Sequence, residues 1–333
     1  MRITKLVKNL TAYTPGEQPK AMDVIKLNTN ENAYPPSPRC AEVLKNFDLE
    51  KLRRYPDSVF TELRVALAKL HHTTIDRIFV GNGSDEVLSL STRAFVEDDE
   101  AIWSLDPSYT LYITLADIRG VPWNRGNISL KLLTNPNAPT GEFMERKDIA
   151  AAARKFKGVF IIDEAYADFS RTNMMQLATA RNNRNIIVMR TFSKSYSLAG
   201  LRVGYCVGPK DLIAALYKLK NSYNVDAIAQ AVALAAVKDQ AWMRKNAKKI
   251  ISTRKRLTKE LTKRGWQVMD SEANFIFAMP AKTTAKKLFL KLRERNIFVR
   301  FFDKPKTKDY IRITIGTDEQ INKLLECIDE FNF

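Results

Sequence analysis

From about residue 60 onward the chain alternates short apolar runs with longer stretches of apolar residues at helical spacing. Apolar, often β-branched runs occur at Arg77–Val80, Glu100–Leu105, Lys131–Thr134, Gly158–Ile162, Asn185–Met189 and Leu201–Val207. Runs without polar alternation are what strands need when helices cover both faces of their sheet. Amphipathic stretches at Ser84–Val96, Ser108–Asp117 and Arg146–Phe156 lie between them and predict helices. The alternation predicts an α/β domain built on a mostly parallel central sheet sandwiched by helices.

The texture changes on either side. Residues 1–30 read as an N-terminal arm, and Tyr34-Pro35-Pro36-Ser37-Pro38 reads as a turn or extended crossing. After about Ala227 one long helical region runs to Arg264, broken by Gly265. A strand (Asn274–Ala278), a helix (Thr284–Arg295), two strands (Ile297–Arg300 and Tyr310–Ile315) and a closing helix from Asp318 follow. The expected division is an arm at 1–30, a large domain at 31–226 and a smaller α+β domain at 227–333. A length of 333 residues suits more than one core.

Hydrophobic residues at 45% and charged residues at 27% place the chain among globular proteins rather than disordered ones. No run approaches the ~18 apolar residues of a membrane-spanning helix, and the N-terminus lacks the apolar segment of a signal peptide. Cys40, Cys206 and Cys327 are too far apart to suggest a disulfide framework or a metal cluster, so a reducing cytoplasm is expected and no metal. The net charge of +17 raises the question of nucleic acid. Its densest stretches, Arg244–Arg264 and Lys282–Arg295, interleave charge with apolar residues at helical spacing, which reads as solvated helix faces. Neither a nucleic-acid nor a membrane partner is expected.

Candidate chemistry collects just past strand ends, where open α/β sheets bind ligands. Gly81-Asn82-Gly83-Ser84-Asp85-Glu86 combines glycines with a helix start, whose free N–H groups suit a phosphate. Taken alone, it is equally an ordinary turn with a capping residue. Asn135-Pro136-Asn137-Ala138-Pro139-Thr140-Gly141 fixes a stiff backbone path and by itself need be only a turn. The run Gly158–Ile162 ends in Asp163, a carboxylate able to keep a heterocyclic nitrogen protonated, with Tyr166 close behind. Thr191-Phe192-Ser193-Lys194 offers a lysine whose desolvation would make its amine nucleophilic, and Arg202 follows to cover a phosphate. A lone loop lysine is usually surface decoration. In the company of Asp163 and the Gly83-Ser84-Asp85 turn it matches what pyridoxal phosphate asks of a protein.

The ordered motifs make the resemblance specific. Leu27-Asn28-Thr29-Asn30-Glu31-Asn32, Arg54-Tyr55-Pro56-Asp57, Gly81–Glu86, Pro107-Ser108-Tyr109, Asn135–Gly141, Asp163-Glu164-Ala165-Tyr166, Thr191–Lys194, Leu198-Ala199-Gly200-Leu201-Arg202 and Arg312-Ile313-Thr314-Ile315-Gly316-Thr317 run in order from Leu27 to the C-terminus. The chain thereby resembles the fold type I, aspartate-aminotransferase-like family of pyridoxal-phosphate enzymes, and within it the histidinol-phosphate aminotransferases. The resemblance implies pyridoxal 5'-phosphate as cofactor, with Lys194 as its Schiff-base lysine and Asp163 on its ring nitrogen. Tyr166 falls at its phenolic oxygen, and Tyr109 stacks on its ring. Gly83, Ser84, Asp85, Ser193 and Arg202 fall at its phosphate. Tyr55 is implied to reach the phosphate in a neighbouring subunit of a homodimer. Arg300 and Arg312 are implied to bind the anionic ends of a small-molecule amino donor and a 2-oxo acid acceptor.

Two departures accompany the match. The family usually carries, before Pro-Thr-Gly, an asparagine that contacts the phenolic oxygen; here that position is Ala138, so either Asn137 substitutes or Tyr166 makes the contact alone. The stretch from Gly120 to Lys131 is also shorter than usual, so a strand or loop there is expected to be cut back. The expected reaction converts histidinol phosphate and 2-oxoglutarate to imidazole-acetol phosphate and glutamate, in histidine biosynthesis. The alternatives are an aromatic or broad-specificity aminotransferase, a threonine-phosphate decarboxylase of the same fold, and a non-catalytic cofactor- or nucleic-acid-binding protein.

Overall fold

The computed structural model describes residues 2–10, 16–19 and 23–331; the remainder of the expected N-terminal arm lies outside the described residues. Helix α1 (Lys5–Asn9) and the two-residue strand β1 (Ile25–Lys26) come first, followed by α2 (Pro38–Lys45) and α3 (Thr61–Leu70). The proline-rich run stays outside helix from Tyr34 to Ser37, as expected, and only its last residue enters α2. Pro38 occupies the first helical position, where its missing N–H costs nothing, and the Ser37 hydroxyl accepts from the Arg39 N–H as a cap.

The large sheet comprises β2 (Ile78–Gly81), β3 (Ala101–Ser104), β4 (Ile128–Thr134), β5 (Val159–Asp163), β6 (Ile186–Thr191) and β7 (Gly204–Val207). Between them run α4 (Ser84–Ala94), α5 (Leu111–Arg119), α6 (Arg146–Arg154) and α7 (Met175–Thr179), with α8 (Lys210–Leu219) after β7. The strand order is β2-β7-β6-β5-β4-β3. β3 to β6 are mutually parallel, whereas β7 is antiparallel to both β6 and β2. The mostly parallel sheet is as expected. β6 and β7 are buried at every position because apolar clusters cover both faces of the sheet.

Three local readings shift. The run Leu201–Val207 begins as strand only at Gly204, since Ala199–Leu201 form a single 3₁₀ turn and Arg202 is left-handed (φ 57°). β4 starts three residues earlier than its apolar run. In the short Gly120–Lys131 stretch, a single Ile102–Trp123 bridge is the only pairing outside named strands among the described residues.

The C-terminal region consists of α9 (Ala227–Val237), α10 (Gln240–Lys263), β8 (Gln267–Val268), β9 (Phe275–Met279), α11 (Ala285–Glu294), β10 (Ile297–Phe298), β11 (Arg300–Phe301), β12 (Ile311–Thr314) and α12 (Asp318–Glu330). The long helical region is thus two helices. Asp239 separates them, its carboxylate capping the Trp242 N–H at the start of α10. α9 packs on α2 and α3, while α10 also reaches the 3₁₀ turn Ala167–Phe169 below the large sheet. The second sheet has the order β11-β12-β9-β8, and β10 pairs instead with β1. The run Ile297–Arg300 therefore divides at Val299 between two sheets, which draws residues 25–32 alongside the C-terminal region.

Candidate active site

The carboxyl ends of β2, β4, β5 and β6 open on a cavity of about 640 Å³. Its wall is completed by Asn28–Glu31 from the N-terminal segment and by Arg300, Phe302, Lys304–Thr307 and Arg312 from the C-terminal region. Asp163 ends β5 and Lys194 follows β6, so parallel neighbouring strands bring the two residues to one edge.

Asp163 is buried. Tyr112 donates to its Oδ2 at 2.9 Å and the Ala165 N–H to its Oδ1 at 3.1 Å. Burial raises its pKa to about 6 against the lowering effect of both hydrogen bonds. A carboxylate held in this way, with few partners of its own, is suited to a cationic heterocycle. Lys194 opens on the cavity and is enclosed by protein elsewhere; its Nζ donates to Thr29 O at 3.3 Å. Desolvation, reinforced by the positive charge of Arg312, lowers its ammonium to about 8, so a far larger fraction of the amine is neutral near physiological pH than for an ordinary lysine.

A phosphate-sized cradle lies at the start of α4. Gly83 has φ +80° and precedes the first helical residue, Ser84. A Cβ on Gly83 would stand 2.8 Å from Arg202 Nη2, so glycine permits the guanidinium to close over the helix N-terminus. Gly204 presses equally close from β7, where a Cβ would meet Ser84 N at 2.4 Å. Asp85 accepts from Arg202 at 3.3 Å and from the Tyr109 hydroxyl at 3.4 Å, fixing both at the cradle's edge. Ser193 is buried and receives a bond from Thr191 Oγ1 at 3.0 Å.

At the opposite end, Arg300 and Arg312 are direct cross-strand partners on β11 and β12, and both line the cavity. Arg312 donates to Asn28 O at 3.0 Å. Tyr166 packs edge-on against Phe275, and its hydroxyl accepts from Asn30 Nδ2 at 2.9 Å.

Of the residues singled out from the sequence, Ser84, Asp85, Tyr109, Asp163, Tyr166, Ser193, Lys194, Arg202, Arg300 and Arg312 line this one cavity, with Gly83 directly behind it. Asn137 and Tyr55 do not line it. The Asn137 amide is fully occupied, tying its turn to the Pro107-Ser108 loop: it accepts from Ser108 at 2.9 Å and donates to Pro107 O and Thr140 Oγ1. Ala138 offers only a methyl to the cavity. Tyr55 is 80% exposed and stacks on Tyr223 with ring centroids 4.3 Å apart. Sequence reading missed Tyr112, Asn30 and Trp123. Tyr112 sits where the apolar face of α5 is expected, and the other two carry no spacing signal that sets them apart.

A lysine with a lowered pKa, a buried carboxylate on the adjoining strand and an anion cradle facing an arginine pair define a pyridoxal-phosphate-dependent transaminase. The chain belongs to the family described as "Aminotransferase class I and II", which matches residues 22–328. It is 42% identical to "Histidinol-phosphate aminotransferase 1" of Nostoc sp. over 97% of this chain and 96% of the relative. It is also 42% identical to the "Histidinol-phosphate aminotransferase" of Microcystis aeruginosa over 97% of each. Its fold matches the crystal structure of histidinol-phosphate aminotransferase from Sinorhizobium meliloti in complex with pyridoxal-5'-phosphate, with a TM-score of 0.89 at 24% identity, covering 99% of this chain and 98% of that one.

Proposed function

We propose that the chain is a histidinol-phosphate aminotransferase, moving the amino group of L-histidinol phosphate to 2-oxoglutarate and releasing imidazole-acetol phosphate and glutamate. The names and near-complete overlap of its 42% identical relatives support this reading. The observation that carries it is the Arg300–Arg312 pair, two cross-strand guanidinium groups that line the same cavity as the phosphate cradle. Planar guanidinium groups engage a phosphate monoester in one half-reaction and a carboxylate in the other through paired hydrogen bonds.

The residues fit pyridoxal phosphate. The side-chain-free Gly83 lets the Arg202 guanidinium close over the start of α4, where an anion would meet both, and Asp163 is a buried carboxylate suited to a cationic ring nitrogen. Ser193, Arg202 and the N–H groups at the start of α4 at Ser84 and Asp85 would hold the phosphate, with Tyr109 against the ring. When bound, the cofactor supplies an electron sink for the charge developing at the substrate's Cα. Asp163 would keep the proton on the ring nitrogen. The Lys194 amine would hold the cofactor covalently and, once displaced by the incoming amine, would take the proton from the substrate's Cα and deliver it to the cofactor's own carbon. With the Asn137 amide engaged by Ser108, Pro107 and Thr140 and the Ala138 side chain carrying no donor, Tyr166 would donate to the ring oxygen.

The working unit is a homodimer in a reducing cytoplasm. The exposure of Tyr55, which stands away from its own chain's cavity, supports a role at a partner's site. Three buried, unpaired cysteines suit the compartment. Within the chain, we assign residues 31–226 to the cofactor-binding domain and 227–333 to the smaller one.

Steady-state kinetics test the substrate. The kcat/KM for histidinol phosphate should exceed that for phenylalanine by at least about 100-fold, the discrimination of a lost charged contact. Equal values would point to a broad-specificity enzyme, and CO₂ release from threonine phosphate to a decarboxylase.

A further inference from the structure

The segment Asn28–Asn32 touches the catalytic groups of two strands and the anion wall at once. Asn28 O accepts from Arg312, Thr29 O accepts from Lys194 Nζ, and Asn32 Nδ2 donates to the carbonyls of Lys194 and Ser195 at 3.1 and 3.2 Å. Asn30 sits at the centre of this segment, 1% exposed and in a left-handed conformation (φ 57°) that asparagine tolerates better than most residues.

The orientation of the Asn30 amide is fixed by its neighbours. The Asn30 N–H donates to Thr314 Oγ1 at 3.0 Å, and the Thr314 hydroxyl donates its single proton to Asn30 Oδ1 at 3.1 Å. Asn274 Nδ2 donates to Asn30 O at 2.9 Å, anchoring the backbone. With the amide oxygen turned to Thr314, Nδ2 must face Tyr166 Oη, 2.9 Å away. The reversed amide would aim an NH₂ group at a hydroxyl that already accepts the Asn30 N–H, and would leave the Thr314 proton without this acceptor.

We infer that Asn30 is a positioning residue for the reaction: by donating to Tyr166 Oη it commits that oxygen as an acceptor and directs the hydroxyl proton toward the ring oxygen of the cofactor. A hydroxyl that accepts a hydrogen bond becomes a stronger donor, because the two bonds polarise one another. The contribution carries weight in this chain because Ala138, on the same cavity wall, supplies no donor and Asn137 is occupied elsewhere. The inference rests on Tyr166 donating to pyridoxal phosphate as described above.

The test is a pH titration of the visible absorbance of holoenzyme reconstituted with pyridoxal 5'-phosphate, in the parent, Asn30→Ala, Asn30→Asp, Tyr166→Phe and Asn30→Ala/Tyr166→Phe proteins. Loss of a strong donor to the ring oxygen disfavours the deprotonated chromophore, whose oxygen carries the negative charge. The transition in Asn30→Ala should therefore move to higher pH by roughly 0.5–1 unit. Asn30→Asp keeps the acceptor for Thr314 and the left-handed backbone, so it covers the case in which the alanine variant does not fold. It replaces the donor with an acceptor that draws the Tyr166 proton away, and should move the transition at least as far. In the Tyr166→Phe background the alanine substitution should add nothing, a coupling that a merely structural role would not produce. A transition that shifts in Tyr166→Phe but stays at the parent value in both Asn30 variants overturns the inference alone. So does an equal, additive shift in the double variant. A transition unmoved in Tyr166→Phe overturns the reading of Tyr166 and the inference with it.

Discussion

Tyr112 and Asp163 form a buried pair in which the phenol donates to the carboxylate over 2.9 Å, while Thr134 lies 2.6 Å from the same phenolic oxygen. Thr134 can thus donate to Tyr112 as Tyr112 donates to Asp163, a relay ending on the group assigned to the ring nitrogen. This relay partly offsets the desolvation that pushes Asp163 up to about 6.

The sign of that shift sets a pH dependence in the cofactor-free protein. An aspartate raised from 3.8 to about 6 favours folding most below the lower value, and that contribution is lost as pH rises through the higher one. At about 1.4 kcal/mol per pH unit the loss approaches 3 kcal/mol. Asp163→Asn should therefore stabilise the cofactor-free protein in urea unfolding at pH 8 relative to the parent, with the gain shrinking toward pH 4. In the holoenzyme the same substitution should lower kcat at least about 100-fold, since the ring nitrogen loses its anionic partner. A stability difference independent of pH would show that Asp163 does not titrate in this way.

Lys194 and Arg312 are coupled through space. With the ammonium lowered to about 8, acylation of Lys194 in the cofactor-free protein should rise with pH around a midpoint near 8, read by peptide mass analysis. Arg312→Gln removes a like charge and should move that midpoint upward. The same variant should raise KM about 30- to 100-fold for both substrates, the cost of a lost charge-assisted pair. An unchanged midpoint would break the electrostatic link, and a KM change confined to one substrate would break the shared anion site.

Tyr55 provides a test of subunit sharing. Tyr55→Ala and Lys194→Ala homodimers should each be nearly inactive or weakened in cofactor binding. Mixed in equal amounts and allowed to exchange, they should regain activity, because half of the hybrids' sites combine an intact Tyr55 with an intact Lys194. Failure of such hybrids, verified by mass, to exceed the parent variants would confine Tyr55 to its own subunit.

Much of the large sheet was legible because strands covered on both faces leave long apolar runs, and β5 and β6 show this most plainly. Asp163 and Lys194 stood out as polar residues where such runs stop. Ends were less legible. The strand at Leu201–Val207 loses its first residues because the chain makes a 3₁₀ turn at Ala199–Leu201 and a left-handed residue at Arg202, whose guanidinium reaches Gly83, a contact distant in sequence. The break at Asp239 was hidden because no glycine or proline marks it, although the apolar α9 gives way there to the charged, amphipathic α10. Ile297–Arg300 read as one strand, although its halves pair with partners about 270 residues away in one case and about a dozen in the other. Tyr112 and Asn30 act through hydrogen bonds that tertiary placement creates, which no local spacing announces.

The antiparallel course of β7 has a kinetic consequence. The chain leaves β6 and re-enters the sheet at the same edge, so Lys194 and Arg202 lie on one hairpin loop rather than on separate crossovers. A ligand gripped at one end by the lysine and at the other by the guanidinium closes a ring with the protein's own backbone, as a chelate does. If Lys194 and Arg202 hold the cofactor as proposed, the phosphate end would remain tethered whenever an incoming amine displaced the lysine, and re-closure would be an intramolecular step at high effective concentration. The loop would then let the bond to Lys194 be made and broken in every turnover without setting the cofactor free.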